Sequence, residues 1–372
     1  MIHKPHNDRA GAKAPARLLR LARLLLVYAM ASAAGAFAVK ISLPLPWMLG
    51  PFFLFAALSA TGRRFSVMPM GRELAQVAIG LAIGLRFTPA VLAATALLLP
   101  HMIGATLYLM IVTTCAAILF RPMAAVDPVT AFFATAAGGV ADMATVAQRF
   151  GGAPSSVAVV HAMRVSLVVA LVPFVVLYLG ESAPRATVST GVAQGHPWLD
   201  GAALVAGLVA AYLMALVLRP TALPNPWLLG PILAGMAIGL SDLVNIHVPG
   251  WMITVAQIFL GTWLGCQFRR DLLASLPRVT ASAFAIGLFL ITAAALGAVV
   301  LASVAGLPFS TAFLSLAPAA VTEMVLVAKL MGLDAETVAA FHVMRIAIVS
   351  TTILLVYRLY SQLNGDRNGS GI

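Results

Sequence analysis

Two carboxylates, two histidines and two arginines recur in one arrangement at two places in a chain that is otherwise almost free of charge. Asp142 follows Gly138 and Gly139, and Glu323 follows Pro318. Nineteen residues beyond each carboxylate stands a histidine, His161 or His342, with Arg164 or Arg345 three residues further on. A spacing of three puts each His and Arg on one helical face. A carboxylate or histidine there can take up a proton, and an arginine can hold an anionic ligand. In hydrocarbon an ionisable side chain costs about 2.5–3.5 kcal/mol or more, so each is a candidate for function. The competing reading is structural: Asp142–Arg164 and Glu323–Arg345, or their crossed partners, form buried ion pairs that lock the fold. Two histidines and two carboxylates also suit a divalent metal. No His-x-His or Glu-x-x-His spacing seats them on one turn, however, so neither a metal, a cofactor nor a catalytic residue is assigned.

These residues sit in an apolar chain. Of 372 residues 61% are hydrophobic and only 9% charged, where a soluble domain carries roughly 25%. The mean hydropathy is +1.00. So few charges cannot cover an aqueous surface, which excludes the soluble globular classes. The net charge of +11 does not read as a nucleic-acid surface, because the cations lie mostly in short segments between apolar runs. Cys115 and Cys266 are isolated within such runs and read as packing residues.

The chain is internally duplicated. Leu43–Pro51 recurs as Leu223–Pro231, with seven of nine positions identical. Gln76, Gly80 and Gly84 match Gln257, Gly261 and Gly265, and Val140, Asp142, Met143, His161 and Arg164 match Val321, Glu323, Met324, His342 and Arg345. The offset is 180 at the first block and 181 afterwards. The organisation expected is a cytoplasmic tail (1–17), a first membrane repeat (18–180), a linker (181–198), a second repeat (199–360) and a C-terminal tail (361–372). Ala31-Ser32-Ala33 resembles a cleavage site, but the matching run 199–218 makes the first apolar segment part of the fold.

Apolar length predicts five spans per half: 18–39, 46–61, 73–86, 101–120 and 154–179, then 199–218, 226–240, 250–268, 280–305 and 335–359. Segments 129–149 and 310–330 carry Ala136-Ala137-Gly138-Gly139 and Ala317-Pro318-Ala319-Ala320 at their centres. Glycine and proline weaken a helix there, so each segment crosses broken or dips in and returns. Re-entry leaves five spans per half and inverts the second half. It also gathers Arg63, Arg64, Arg72, Arg121, Arg149, Arg219, Arg269, Arg270, Arg278, Arg358 and Arg367 with the N-terminal cations inside, against Lys40, Arg86, Arg185 and Lys329 outside. The fold expected is therefore an all-α polytopic membrane protein of two tandem repeats, inverted, each with about five transmembrane helices and one broken or re-entrant segment. Gln76 and Gln257 read as packing amides, and the glycines four apart as close helix crossings.

The paired Pro-Trp-x-Leu-Gly-Pro blocks, Val140-Ala141-Asp142-Met143 with Val321-Thr322-Glu323-Met324, and the paired His-x-Met-Arg resemble the duplicated AbrB-type family of bacterial membrane proteins, over about residues 20–360. Members also carry an ammonia monooxygenase label or are described as regulators of gene expression. The resemblance implies a multi-pass protein of the bacterial inner membrane. The ligand spacing gives an oxidase little support, and no basic soluble domain is present for direct nucleic-acid binding. The function expected is secondary transport or export of a small solute, anionic if the arginines bind it, at a central site formed by Asp142, Glu323, His161, His342, Arg164, Arg345, Gly138, Gly139 and Pro318. The partners expected are membrane lipid and that solute; the sequence does not give the oligomeric state.

Overall fold

The computed structural model describes residues 13–179, 197–221, 225–241, 246–268 and 270–363. Lys4, Arg9, Arg185, Leu223, Pro224, Arg269 and Arg367, most of the expected linker and most of both tails lie outside the described residues. The first half forms α1 (Lys13–Lys40), α2 (Pro46–Ala60), α3 (Gly71–Gly84), α4 (Pro89–Leu97), α5 (Leu99–Ala124), α6 (Pro128–Thr135), α7 (Val140–Arg149) and α8 (Pro154–Leu179). The second forms α9 (Pro197–Leu218), α10 (Pro226–Ser241), α11 (Gly250–Gly265), α12 (Arg270–Ser275), α13 (Pro277–Ala305), α14 (Phe309–Leu316), α15 (Val321–Leu330) and α16 (Ala335–Leu363). All regular structure among the described residues is helical.

Among the described residues six helices are long and apolar enough to cross a membrane alone: α1, α5, α8, α9, α13 and α16. All ten segments expected from apolar length are helical, and six of them reach the length of a full span. Segments 46–61, 73–86, 226–240 and 250–268 fold as helices of 15, 14, 16 and 16 residues. At 1.5 Å per residue these reach about 21–24 Å, short of a hydrocarbon core about 30 Å thick. Leu45 and Asn225 both take a left-handed conformation (φ 50° and 54°) ahead of Pro46 and Pro226, so neither helix can begin earlier. The short piece between Pro89 and Pro100 is α4, which turns away from α3 by 93°.

The short helices pack across the halves. A Cβ at Gly80 would lie 2.8 Å from the Leu228 carbonyl oxygen, and one at Gly84 would collide with that of Ile232. At the matched positions a Cβ on Gly265 would lie 2.6 Å from Phe52 O, and one on Gly261 would collide with Met48 O. So α3 lies backbone to backbone on α10, and α11 on α2, the close approach that small residues permit in lipid.

The remaining long helices frame two helical hairpins. Arg278 Nε donates to Met123 O at 2.9 Å, and Tyr108 Oη to Ala293 O at 2.7 Å, so α5 and α13 run antiparallel. In the first hairpin Asp127 caps α6, accepting from Thr130 N (2.8 Å) and Thr130 Oγ1 (2.6 Å). Thr130 Oγ1 in turn accepts from Ala153 N at 2.8 Å, just after α7 ends and before α8 begins. Both ends of the α6–α7 segment therefore lie together, at the end of the bundle where α5 terminates. The α14–α15 segment opens where α13 terminates, which is the opposite end because α5 and α13 are antiparallel.

Expected outcome: Gly84→Ala and Gly261→Ala each destabilise the protein by about 1–3 kcal/mol through overpacking. Gly104→Ala on α5, where a Cβ meets nothing within 4 Å, leaves it unchanged or slightly firmer. Thermal unfolding in detergent, followed by tryptophan fluorescence, checks the difference.

Candidate functional site

At each hairpin tip the chain leaves the helix for a short extended stretch. Ala136 (φ −52°, ψ 145°) ends α6 and Gly139 (φ −69°, ψ 141°) precedes α7; Ala317 (φ −57°, ψ 132°) and Ala320 (φ −72°, ψ 148°) do the same for α14 and α15. These are conformations any L-residue adopts. Gly138-Gly139 can therefore stand in one tip and Ala319-Ala320 in the other, with Pro318 where the first has Ala137.

Such a tip strands the last carbonyls of α6 and α14 inside the protein. His-x-Met-Arg satisfies them. Arg164 Nη1 donates to Thr135 O (3.0 Å) and Ala136 O (2.9 Å), and Arg345 donates to Ala317 O (3.0 Å) and Ala319 O (2.9 Å). His161 Nε2 lies 3.0 Å from Phe133 O, and His342 Nε2 lies 2.9 Å from Leu314 O. Each arginine also donates to the Nδ1 of its histidine, at 3.0 and 2.7 Å. A guanidinium only donates, so Nδ1 must accept and the imidazole proton must sit on Nε2, aimed at the carbonyl. Both rings are neutral in this arrangement, and both of their nitrogens are engaged.

The expected carboxylate–arginine pairs do not form among the described residues. The ion pairs there are Arg64–Asp271 at 3.1 Å and Arg86–Glu336 at 2.8 Å, both at bundle ends. The arginines serve backbone carbonyls because helix termini in hydrocarbon need donors more than the carboxylates need partners. Nor are the six charged and imidazole side chains one symmetric cluster. Asp142 is exposed, as is Gly139 beside it, whereas Glu323 is 3% exposed and Pro318 is buried. The two guanidiniums lie near enough for the Arg164 charge to act on Arg345.

Around Glu323 the structure assembles residues that the sequence reading took for packing amides or topology cations, Gln76 and Arg72 among them. Thr322 Oγ1 accepts from Gln76 Nε2 at 2.9 Å, and the Asn225 amide lies 3.5 Å away. Arg72 stacks over Trp263 at 4.3 Å and is the cation whose field reaches Glu323. Glu323 Oε2 is buried with no hydrogen-bond partner, and so is the Nε of each hairpin arginine. The first half has no such node, because its matched positions hold Ala141 for Thr322 and Leu45 for Asn225. That mismatch between halves was the available signal. Further along α3, Lys329 Nζ donates to Ala82 O at 3.2 Å, so α15 runs beside α3.

The profile described as "Transition state regulatory protein AbrB" matches residues 2–120 and 47–361. The chain belongs to the AbrB family. Among AbrB-family relatives, "Uncharacterized protein YhjN" of Bacillus subtilis (strain 168) is 28% identical over 364 residues, covering 90% of this chain and 93% of the relative. "Putative regulator AbrB" of Escherichia coli (strain K12) is 24% identical over 332 residues, covering 87% and 92%. With its six long apolar helices, this AbrB-family member is a multi-pass membrane protein.

Expected outcome: Arg164→Lys and Arg345→Lys, which keep the charge but cannot bridge two carbonyls and a histidine, each cost about 3 kcal/mol or more. Asp142→Asn, at an exposed position, serves as the silent control in the same thermal unfolding measurement.

Proposed function

We propose that this protein is a secondary transporter of a small anionic solute in the bacterial inner membrane. Its N-terminus would be cytoplasmic and its two halves inverted about a central site. The observation that carries the reading is the pair of hairpins reaching the interior from opposite ends of the bundle, a construction found where transporters hold substrate near the bilayer midplane. Inversion is further supported by helix directions. α3 packs parallel on α10 and α2 on α11, while the start of α3 (Gly71, Arg72) meets the end of α11 (Phe259, Trp263), so α2 runs opposite to its counterpart α10. The charges agree: Arg64, Arg270 and Arg278 share one end, and Arg86 and Lys329 the other.

An anionic solute follows from what each tip leaves open. The carbonyl ends of α6 and α14, which would otherwise attract a cation, already hold a tethered guanidinium. The N-termini of α7 and α15 have no side-chain cap and keep their positive dipole ends available. Two buried Arg Nε–H groups lack acceptors, as a ligand bearing carboxylate or phosphate oxygens would supply. Glu323 stands in the first turn of α15, so its carboxylate and a bound anion compete for one helix terminus. The anion then binds together with a proton on Glu323, which couples flux to the proton gradient.

Unequal tips support alternating access. One hairpin meets α3 and the residue that caps α10, and the other is exposed at Gly139 and Asp142. The relative's printed description as a regulator fits indirectly, since moving a solute changes what the cytoplasm senses. Neither histidine has a nitrogen free for a metal, which weighs against the monooxygenase label.

Expected outcome: in proteoliposomes with an internal pH dye, one or more of a panel of small carboxylates, phosphate and sulfate drives proton movement. Glu323→Gln abolishes that movement while anion counterflow persists. If wild-type protein moves no proton with any anion of the panel, proton-coupled transport is refuted. If it binds an anion without flux, a sensor role replaces transport.

A further inference from the structure

At one end of the bundle the two halves enclose a second, unrelated feature. A cavity of about 450 Å³ opens between the turn after α2 and the start of α12, lined by Ser59, Arg63, Arg64, Cys266, Arg270 and Asp271 among others. Gly62 makes it possible. Its φ of +94° folds the chain back so that Arg63 and Arg64 face α12, with Arg270 Cδ only 3.6 Å from where a Cβ would stand. Of the three guanidiniums, Arg64 is paired with Asp271 at 3.1 Å, side chains 78% and 48% exposed. Arg63 and Arg270 have no anion among the described residues. The C-termini of α2 and α11 add only fractional negative charge, about half an elementary charge each, and cannot neutralise both.

The geometry points to a binding site for a phosphate-bearing anion in this cavity, with Arg63 and Arg270 as the phosphate ligands. Forked guanidiniums suit phosphate oxygens, and basic pockets between helices at headgroup depth hold anionic lipids. An occupant would join a turn of the first half to α12 of the second and brace the α2–α11 pair at its open end. The inference is independent of the transport reading: it concerns neither hairpin and its readout needs no flux.

The test uses full-length purified protein in zwitterionic detergent, titrated separately with phosphatidylglycerol and with inorganic phosphate, reading the unfolding temperature. Arg63→Gln/Arg270→Gln is compared with Lys40→Gln, which removes an exposed cation elsewhere. A lipid-induced rise whose apparent affinity falls about tenfold in the double variant but not in Lys40→Gln, and which weakens with salt, supports a headgroup occupant. The same variant-sensitive rise with inorganic phosphate supports the site with a soluble occupant. If neither probe raises the unfolding temperature, or the double variant responds as wild type does, the assignment is overturned.

Discussion

A backbone carbonyl in the middle of a membrane protein must have a donor, and here that requirement is met by two guanidiniums. Each hairpin breaks its helix where no water can take over the hydrogen bonds of the last turn, and each unsatisfied group would cost several kcal/mol. Arg164 and Arg345 supply bidentate donors that a lysine or an amide could not. The histidines complete the clamp by accepting from the arginine and donating to a carbonyl one turn earlier, which also fixes the rotamer of the guanidinium. Without this arrangement the tips could not lie in the protein interior, and the N-termini of α7 and α15 would have nowhere to point.

The clamp changes the meaning of the charges. An arginine in hydrocarbon invites pairing with the nearest carboxylate, yet a helix terminus with several stranded carbonyls is the stronger claimant, because it presents several acceptors in a fixed array. The arginines thereby become part of the scaffold, and the carboxylates are left to differ. Glu323 is enclosed by α3 and the α10 cap, whereas Asp142 faces outward. The glycine crossings act in the same direction: by bringing α3 onto α10 they set Gln76 and Asn225 within reach of Thr322.

Much of this was legible in the sequence, and the limits have physical causes. The duplication and the His-to-Arg spacing were visible because each is a local pattern, and the three-residue step fixes which side chains share a helical face. The partners of that face were not visible. Phe133 and Ala136 offer only their carbonyls, and a carbonyl has no residue type to betray it. The positions of α2, α3, α10 and α11 were legible from the apolar runs, but not whether helices of 14–16 residues cross the bilayer, because hydropathy reports which residues tolerate lipid and not how far a helix reaches. The Gln76–Thr322 contact spans 246 residues and lies beyond any pattern reading.

A duplicated chain offers one further argument, from what its halves keep and what they let go. The positions held in common, namely the Pro-Trp blocks, the paired glycines and the His-x-Met-Arg clamps, all carry constraints on backbone contact or backbone hydrogen bonding. Either half would fail without them. The positions that diverge, Thr322 against Ala141, Asn225 against Leu45 and Pro318 against Ala137, line the approach to the tips, where backbone geometry tolerates change because the torsions there are ordinary. Selection for stability acts on both halves alike and preserves symmetry. Where that constraint is absent the halves differ, and the single polar node beside Glu323, built from Thr322, Gln76 and Asn225, is where they differ most.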